Sequence, residues 1–268
     1  MRSQKNAFKG KTALITGASS GIGRQVAYDL AAIGVQVILV ARRKDRLLSI
    51  QKEIINGGGK AAYYCCDLED DKARQDLIAQ IQETKTIDIL INSAGFGWYG
   101  YYAEMPWELI RSLLELNVGA VLSLTRAFLP GMREHGYGHI INIGSIAGGL
   151  PNQGIAMYSA SKAFLDAFST SLFREMKGSG VWVSDLRLGA VRTEFFDQAR
   201  NLPNGGSIPA ESLSIPVEKA SRGVLRLLKN HHRYMYLPAI LTFSKYLDLF
   251  FGGLIDQLGP ILLKRKKN

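Results

Sequence analysis

The chain reads as an α/β fold: one doubly wound, parallel, seven-stranded sheet in a single domain, residues 1–237, with an amphipathic helical extension over 238–268. Three observations predict it. Short apolar runs alternate with stretches of helical periodicity, the pattern of a parallel sheet covered on both faces. A glycine-rich turn joins the first run to the first helix. Farther on, Tyr158 and Lys162 lie four residues apart in a helical stretch, thirteen residues after Ser145 closes another apolar run.

Each element has a local reason. Residues 11–16 form a short buried strand, and Thr16-Gly17-Ala18-Ser19-Ser20-Gly21-Ile22-Gly23 follows it. Ile22, Val26, Leu30 and Ile33 then make one stripe at helical spacing. Strand, glycine turn and helix in that order are the context of a dinucleotide fingerprint. Glycines let backbone N–H groups approach a pyrophosphate, and the helix N-terminus favours its charge. Residues 35–41 are the second strand. An enzyme that uses the unphosphorylated nicotinamide cofactor holds an acid at this strand's end, about 20 residues past the glycines. Here Ala41, Arg42 and Arg43 stand there instead. The planar arginine fork suits a 2′-phosphate, so the sequence predicts NADP(H) over NAD(H).

The alternation continues. A helix through Leu47, Ile50 and Ile54 ends at Asn56-Gly57-Gly58-Gly59, and a strand over 60–66 leads to Asp67-Leu68. A helix covers about 70–84, and a strand over 87–91 runs into Asn92-Ser93-Ala94-Gly95. Pro106 is expected to open a long helix that reaches about Glu134, with Asn117 inside it and a kink at Pro130. The next strand, 139–144, leaves Ser145 at its C-terminal edge, where open α/β sheets place their ligands. Tyr158 and Lys162 share one helix face. An ammonium beside a phenol is expected to lower the phenol's pKa from about 10 and ready it for general acid–base work. A strand over 181–188 ends in Gly189-Ala190-Val191-Arg192-Thr193. A loop rich in Pro, Gly and Ser spans about 196–216, followed by a helix over about 217–230 and a last strand near 234–237.

Composition narrows the classes. The net charge is +10, yet the basic residues do not interleave with aromatics, and no nucleic-acid motif is present. Cys65 and Cys66 are neighbours on a strand and face opposite ways, which excludes a disulfide between them. They read as small buried hydrophobes in a reducing compartment, and no metal site is predicted. The N-terminus (Arg2, Lys5, Lys9, Lys11) is polar and basic with no apolar segment behind it, so no signal peptide is expected, and a cytoplasmic protein is. The apolar segments elsewhere read as too short and too charged to span a bilayer.

Together the motifs resemble the short-chain dehydrogenase/reductase family over roughly residues 10–237. The resemblance rests on Thr16-Gly17-x-x-x-Gly21-x-Gly23, Asp67, Asn92-Ser93-Ala94-Gly95, Asn117, Ser145, Tyr158-x-x-x-Lys162 and the stretch from Gly189 to Thr193. Two residues depart from the pattern: Ser93 stands where asparagine is commoner, and Leu188 where a proline usually precedes Gly189. The resemblance implies a Rossmann fold and a catalytic set of Asn117, Ser145, Tyr158 and Lys162. Ser145 would orient the substrate oxygen, and Tyr158 would exchange a proton with it. Lys162 would hold the ribose hydroxyls and depress the Tyr158 pKa, and Asn117 would anchor a water leading to Lys162. Gly17, Ser19, Ser20, Gly21, Ile22 and Gly23 would cradle the cofactor phosphates, with Arg42 and Arg43 on the 2′-phosphate. Asp67 and Leu68 would meet the adenine. Asn92, Ala94 and Gly95 would line the cofactor with Tyr158 and Lys162, while Gly189, Val191 and Thr193 would sit at the carboxamide end.

The substrate is expected to be a small carbonyl or alcohol compound. Trp98, Tyr99, Tyr101, Tyr102, Phe195 and Phe196 would border its cleft and suit an apolar molecule; packing within the loops is the other reading. Ile240, Phe243, Leu247, Phe250, Leu254, Leu258 and Ile261 repeat at three- and four-residue steps, ahead of the basic tail Lys264-Arg265-Lys266-Lys267. Such a helix either packs on the body or a partner subunit, or lies in an anionic membrane surface. A homo-oligomer is expected. A dehydratase or epimerase, and a non-catalytic dinucleotide sensor, are the competing functions; the intact serine, tyrosine and lysine set argues against both.

Overall fold

A computed structural model describes residues 7–207 and 209–262. Among them, strands β1 (Thr12–Thr16), β2 (Gln36–Ala41), β3 (Lys60–Cys65), β4 (Ile89–Asn92), β5 (Gly138–Ser145), β6 (Val181–Leu188) and β7 (Tyr234–Leu237) form one sheet. Its order is β3-β2-β1-β4-β5-β6-β7, and every pairing is parallel. The helices are α1 (Gly21–Ala32), α2 (Lys44–Asn56), α3 (Asp71–Thr84), α4 (Trp107–Leu114), α5 (Ala120–Glu134), α6 (Ala156–Glu175), α7 (Phe195–Asn201), α8 (Val217–Asn230) and α9 (Ser244–Leu262).

Strand alternation sorts side chains into two cores. Ile89 and Ile91 of β4 join α1, α2 and α8 on one face, through Val26, Leu47 and Val224. Leu90 points the other way, against α3 and α5 through Leu77, Leu124 and Phe128. After β3 the chain crosses back to place β4 beside β1. That reversal opens a crevice at the C-terminal ends of β1 and β4, the place where doubly wound sheets hold ligands.

Several sequence expectations are corrected here. The long helix expected from Pro106 to about Glu134 is present over Trp107–Glu134, as α4 and α5 joined without a gap by a π-helical turn, Glu115–Gly119, that contains Asn117. Pro106 precedes α4 as its N-cap, and Pro130 lies inside α5. By length and composition the stretch Trp107–Glu134 could cross a membrane, contrary to the reading that no apolar segment is long enough. It instead supplies Leu113, Leu124, Phe128 and Met132 to the interior. The loop expected over 196–216 contains α7 and a 3-10 turn at Pro209–Leu213. Only Cys66 is a buried hydrophobe: Cys65, on the last residue of β3, is exposed. Neither forms a disulfide.

His139, at the N-terminal end of β5, is fully buried and shares a hydrogen bond of 2.8 Å with Ser184 Oγ. Burial, with a smaller contribution from the nearby His231, pushes its pKa down to about 3. The unfolded chain binds this proton near pH 6.5 and the folded chain does not, so stability is present above that value and is lost as pH falls toward 3. The group accounts for about 2 kcal/mol of lost stability between pH 7 and pH 5. Urea unfolding at both pH values should show a His139→Phe variant losing that much less than the natural chain; equal losses would refute the assignment.

Candidate active site

The crevice is a cavity of about 510 Å³ running along the C-terminal edge of the sheet. The turn after β1 forms one wall. Gly17 has φ +66°, and a Cβ there would lie 2.9 Å from Ala94 N, so any side chain would be both strained and in collision with the β4 loop. Thr16 Oγ1 accepts from the N–H groups of Ser93 and Ala94, each at 3.0 Å, which fixes that loop against the turn. Ser20 is the N-cap of α1, but no side chain caps this helix and its first turn holds no acid. The free N–H groups at this end are what an anionic diphosphate requires.

Arg43 reaches across the same wall. Its Nε and Nη2 donate to Ser19 Oγ and Ser20 Oγ at 3.2 and 2.6 Å, and its Nη1 pairs with Glu194 at 2.9 Å. Arg46 pairs with the other oxygen of Glu194 at 2.6 Å, and the two guanidinium groups hold that carboxyl below its usual range. Arg42 pairs with Glu69 at 3.1 Å and lies 3.6 Å from Asp67. The combination of a glycine turn, an uncapped helix end and paired serines under a guanidinium fits a dinucleotide.

On the opposite wall, β5 ends at Ser145, and a short 3-10 turn, Ile146–Gly148, presses against α6. A Cβ on Gly148 would come within 2.8 Å of Ala163 N, so this approach needs glycine. It brings Ser145 into hydrogen-bond contact with Tyr158. Lys162, one turn farther along α6, donates to Ile143 O at 2.8 Å, with its Nζ 5.7 Å from the centre of the Tyr158 ring. The serine, phenol and amine all line the cavity.

The electrostatics differ from expectation. Burial pushes the Tyr158 phenol up to about 12, and the Ser145 hydrogen bond lowers it only in part. The downward pull expected from Lys162 is not what this arrangement gives, because the amine is turned toward the Ile143 carbonyl. Burial instead lowers Lys162 to about 8, with Asp185 raising it.

Of the residues expected to bind cofactor, Gly17, Ser19, Ser20, Gly21, Ile22, Arg42, Arg43, Asp67, Leu68, Ala94, Gly95, Gly189, Val191 and Thr193 line the cavity. Gly23 and Asn92 do not, and neither does Asn117 of the expected catalytic set. Gly23 packs against the Gly17 carbonyl, where a Cβ would lie 2.6 Å away. Asn92 is buried beneath the β4 loop and donates to Asn142 Oδ1 at 2.8 Å. Asn117 spends its amide on both backbone groups of Phe96, at 3.0 and 3.1 Å, and on Ser161 Oγ at 3.1 Å. The aromatic residues divide likewise. Tyr99, Phe195 and Phe196 line the cavity, and the Tyr99 and Phe196 rings stack at 6.0 Å. Trp98 turns into a separate core and donates to Pro203 O at 2.9 Å, while Tyr102 is exposed.

Sequence reasoning missed Asp185 and Glu194. Asp185 is buried beneath Gly144, where a Cβ would meet its carboxylate, and it accepts from Arg187 Nε at 3.0 Å. Burial pushes it up to about 7 despite the pull of Lys162. An acid at the centre of the strand run 181–188, two residues from Arg187, was the available signal.

Comparison with known proteins agrees with this geometry. The profile of the short chain dehydrogenase family matches residues 11–203. A short chain dehydrogenase of Pseudocercospora fijiensis is 38% identical over 190 residues, covering 70% of this chain and 62% of that protein. A very-long-chain 3-oxoacyl-CoA reductase of Laccaria bicolor is 35% identical over 184 residues, 67% of this chain and 54% of that one. The chain thus spans under two thirds of the length of these two relatives. Among solved structures, a short-chain dehydrogenase from Sphingobium yanoikuyae in complex with NADPH superposes with a TM-score of 0.79 at 31% identity, over 92% of this chain and 95% of that one. The chain belongs to the short-chain dehydrogenase/reductase family of oxidoreductases.

Proposed function

We propose that the protein is an NADP(H)-dependent oxidoreductase that interconverts a carbonyl and an alcohol on an apolar substrate. The observation that carries this is the meeting of Ser145, Tyr158 and Lys162 in the cavity that the Gly17 turn and Arg43 also line. The bound nicotinamide would supply or accept the hydride. Ser145 Oγ orients the substrate oxygen. Tyr158 gives that oxygen its proton in reduction and takes it back in oxidation. Lys162 holds the ribose hydroxyls, and its charge there positions the cofactor beside Tyr158. A phenol with a pKa of about 12 is fully protonated at neutral pH, which equips the site better for reduction than for oxidation.

Tyr99, Phe195 and Phe196, with Ile146, Leu150 and Ile155, give the cleft beside Tyr158 apolar walls. They favour a lipid-like ketone over a sugar or a charged acid. Exposed Trp107, Leu114 and Phe164 on α4 and α6 support a homo-oligomer. A non-catalytic dinucleotide sensor would not need the Ser145–Tyr158 contact.

NADPH oxidation with a panel of aliphatic, aromatic and steroid ketones tests the reading. Turnover that favours the apolar members is expected, and binding of NADPH without turnover across the whole panel would overturn it. The pH profile gives a second check. Lys162 carries its charge below about pH 8 and loses it above. The reductive rate should therefore be level below that value and fall roughly tenfold per unit above it. A Lys162→Met variant should be slower and lack that limb.

A further inference from the structure

The extension after β7 is built inside out. A 3-10 turn, Ala239–Phe243, leads into α9, whose Ser244 is buried and whose Gly252 and Ile255 are half-buried. Phe243, Leu247, Leu249, Phe250, Phe251 and Leu254 are each 45 to 72% exposed. At 100° per residue those positions cover roughly 200° of the helix circumference. A surface helix of a water-facing domain turns its apolar arc inward; this one turns it outward. Packing on the body is thus not what covers these residues.

The helix also has a defined place. Leu241, in the turn before it, sits 2.8 Å from where a Cβ on Gly189 would lie, and Gly189 lines the active-site cavity. Gln153, which also lines the cavity, donates to Asp256 O of α9 at 3.4 Å. The helix that carries the apolar arc is therefore fixed beside residues that line the cleft. The sequence then adds Lys264-Arg265-Lys266-Lys267 directly after α9. These four residues lie outside the described part of the chain, and their charge is what matters here.

We propose that α9 and the basic tail dock the protein on an anionic lipid bilayer, with the mouth of the cleft beside the lipid. An apolar arc this wide suits immersion at the hydrocarbon boundary, where no single partner surface is needed. A second copy of the chain would match a narrower seam and would leave the four positive charges of the tail without an anionic partner. Anionic headgroups complement that charge. Docking here would let an apolar carbonyl compound pass from the bilayer into the cleft, a consequence that rests on the reductase reading; the docking itself does not.

Flotation of the full-length protein, without cofactor or substrate, tests the docking. Vesicles of phosphatidylcholine alone are compared with vesicles that also contain phosphatidylglycerol. The natural chain should float with the anionic vesicles, and less so at high salt. An F250D/F251D variant should bind roughly tenfold less or weaker still, with its thermal unfolding midpoint retained. Neutralising the tail as K264Q/R265Q/K266Q/K267Q should weaken binding to anionic vesicles alone. Equal flotation of all three proteins, or none by the natural chain, overturns the proposal. So does a concentration-dependent dimer, dissolved by F250D/F251D, in place of flotation. Failure of every ketone to turn over would sink the reductase reading and leave the flotation result as it stands.

Discussion

A Tyr158→Phe variant should bind NADPH within a few-fold of the natural affinity and reduce its best ketone at least roughly a thousandfold more slowly. The substitution removes one oxygen atom. Tyr158 lies within the small apolar cluster of Tyr99, Ala147 and Ile155 and packs against Phe195, with ring centres 5.7 Å apart, so a phenylalanine ring keeps those contacts. What disappears is the proton that the substrate oxygen must gain as its carbon is reduced. Water could replace that donor only poorly, because the site is apolar on this side. The thermal midpoint should hold, since the phenol's own hydrogen bond is to Ser145, at the edge of the cavity rather than in the core. Isothermal titration with NADPH and steady-state rates on the same preparation separate the two effects. A fall in rate of less than tenfold would mean that another group delivers the proton, and the assignment of Tyr158 would be withdrawn.

The second large effect concerns the choice of cofactor. Replacing both Arg42 and Arg43 by alanine should weaken NADPH roughly ten- to a hundredfold and leave NADH within a few-fold. Arg43 is held in place by Ser19, Ser20 and Glu194, so its guanidinium is positioned before any phosphate arrives. Arg42 is more exposed, and its partners Glu69 and Asp67 are carboxylates at the rim. Most of the loss should therefore come from Arg43. Because Glu194 is shared with Arg46, the single variant Arg43→Ala leaves that carboxylate with one cation, and the loop that leads into α7 stays tethered. Titration of each variant with both cofactors checks the prediction. Equal losses for NADPH and NADH would show that the arginines act on the loop and not on the phosphate.

Much of this site is legible in the sequence because its parts are short and local. Four residues of helix set the relation of Tyr158 to Lys162, and a strand–turn–helix junction sets the glycine turn. The basic pair at the end of β2 follows from strand length alone. What misled the reading was reach. Trp98 and Tyr102 lie close to Tyr99 in sequence, but only Tyr99 turns into the cleft; the neighbours belong to another core and to solvent. Asn92 looked like a cofactor ligand because it stands beside Ser93 and Ala94, yet strand alternation sends it below the sheet to Asn142. The break expected at Asn117 is a π-helical turn, Glu115–Gly119, whose form only the structure gives.

The amino-acid order by itself determined the alternation of strand and helix, the glycine turn between β1 and α1, and the placing of Tyr158 and Lys162 on one helix face, all of which depend on contacts within a few residues. Only the tertiary structure decided the rest. It set which aromatic rings face the substrate, where the Lys162 amine points, how far burial raises the Tyr158 phenol, and that α9 presents its apolar arc outward. Those properties depend on what lies across space from each side chain, and solvation and electric field are set there, not by neighbours along the chain.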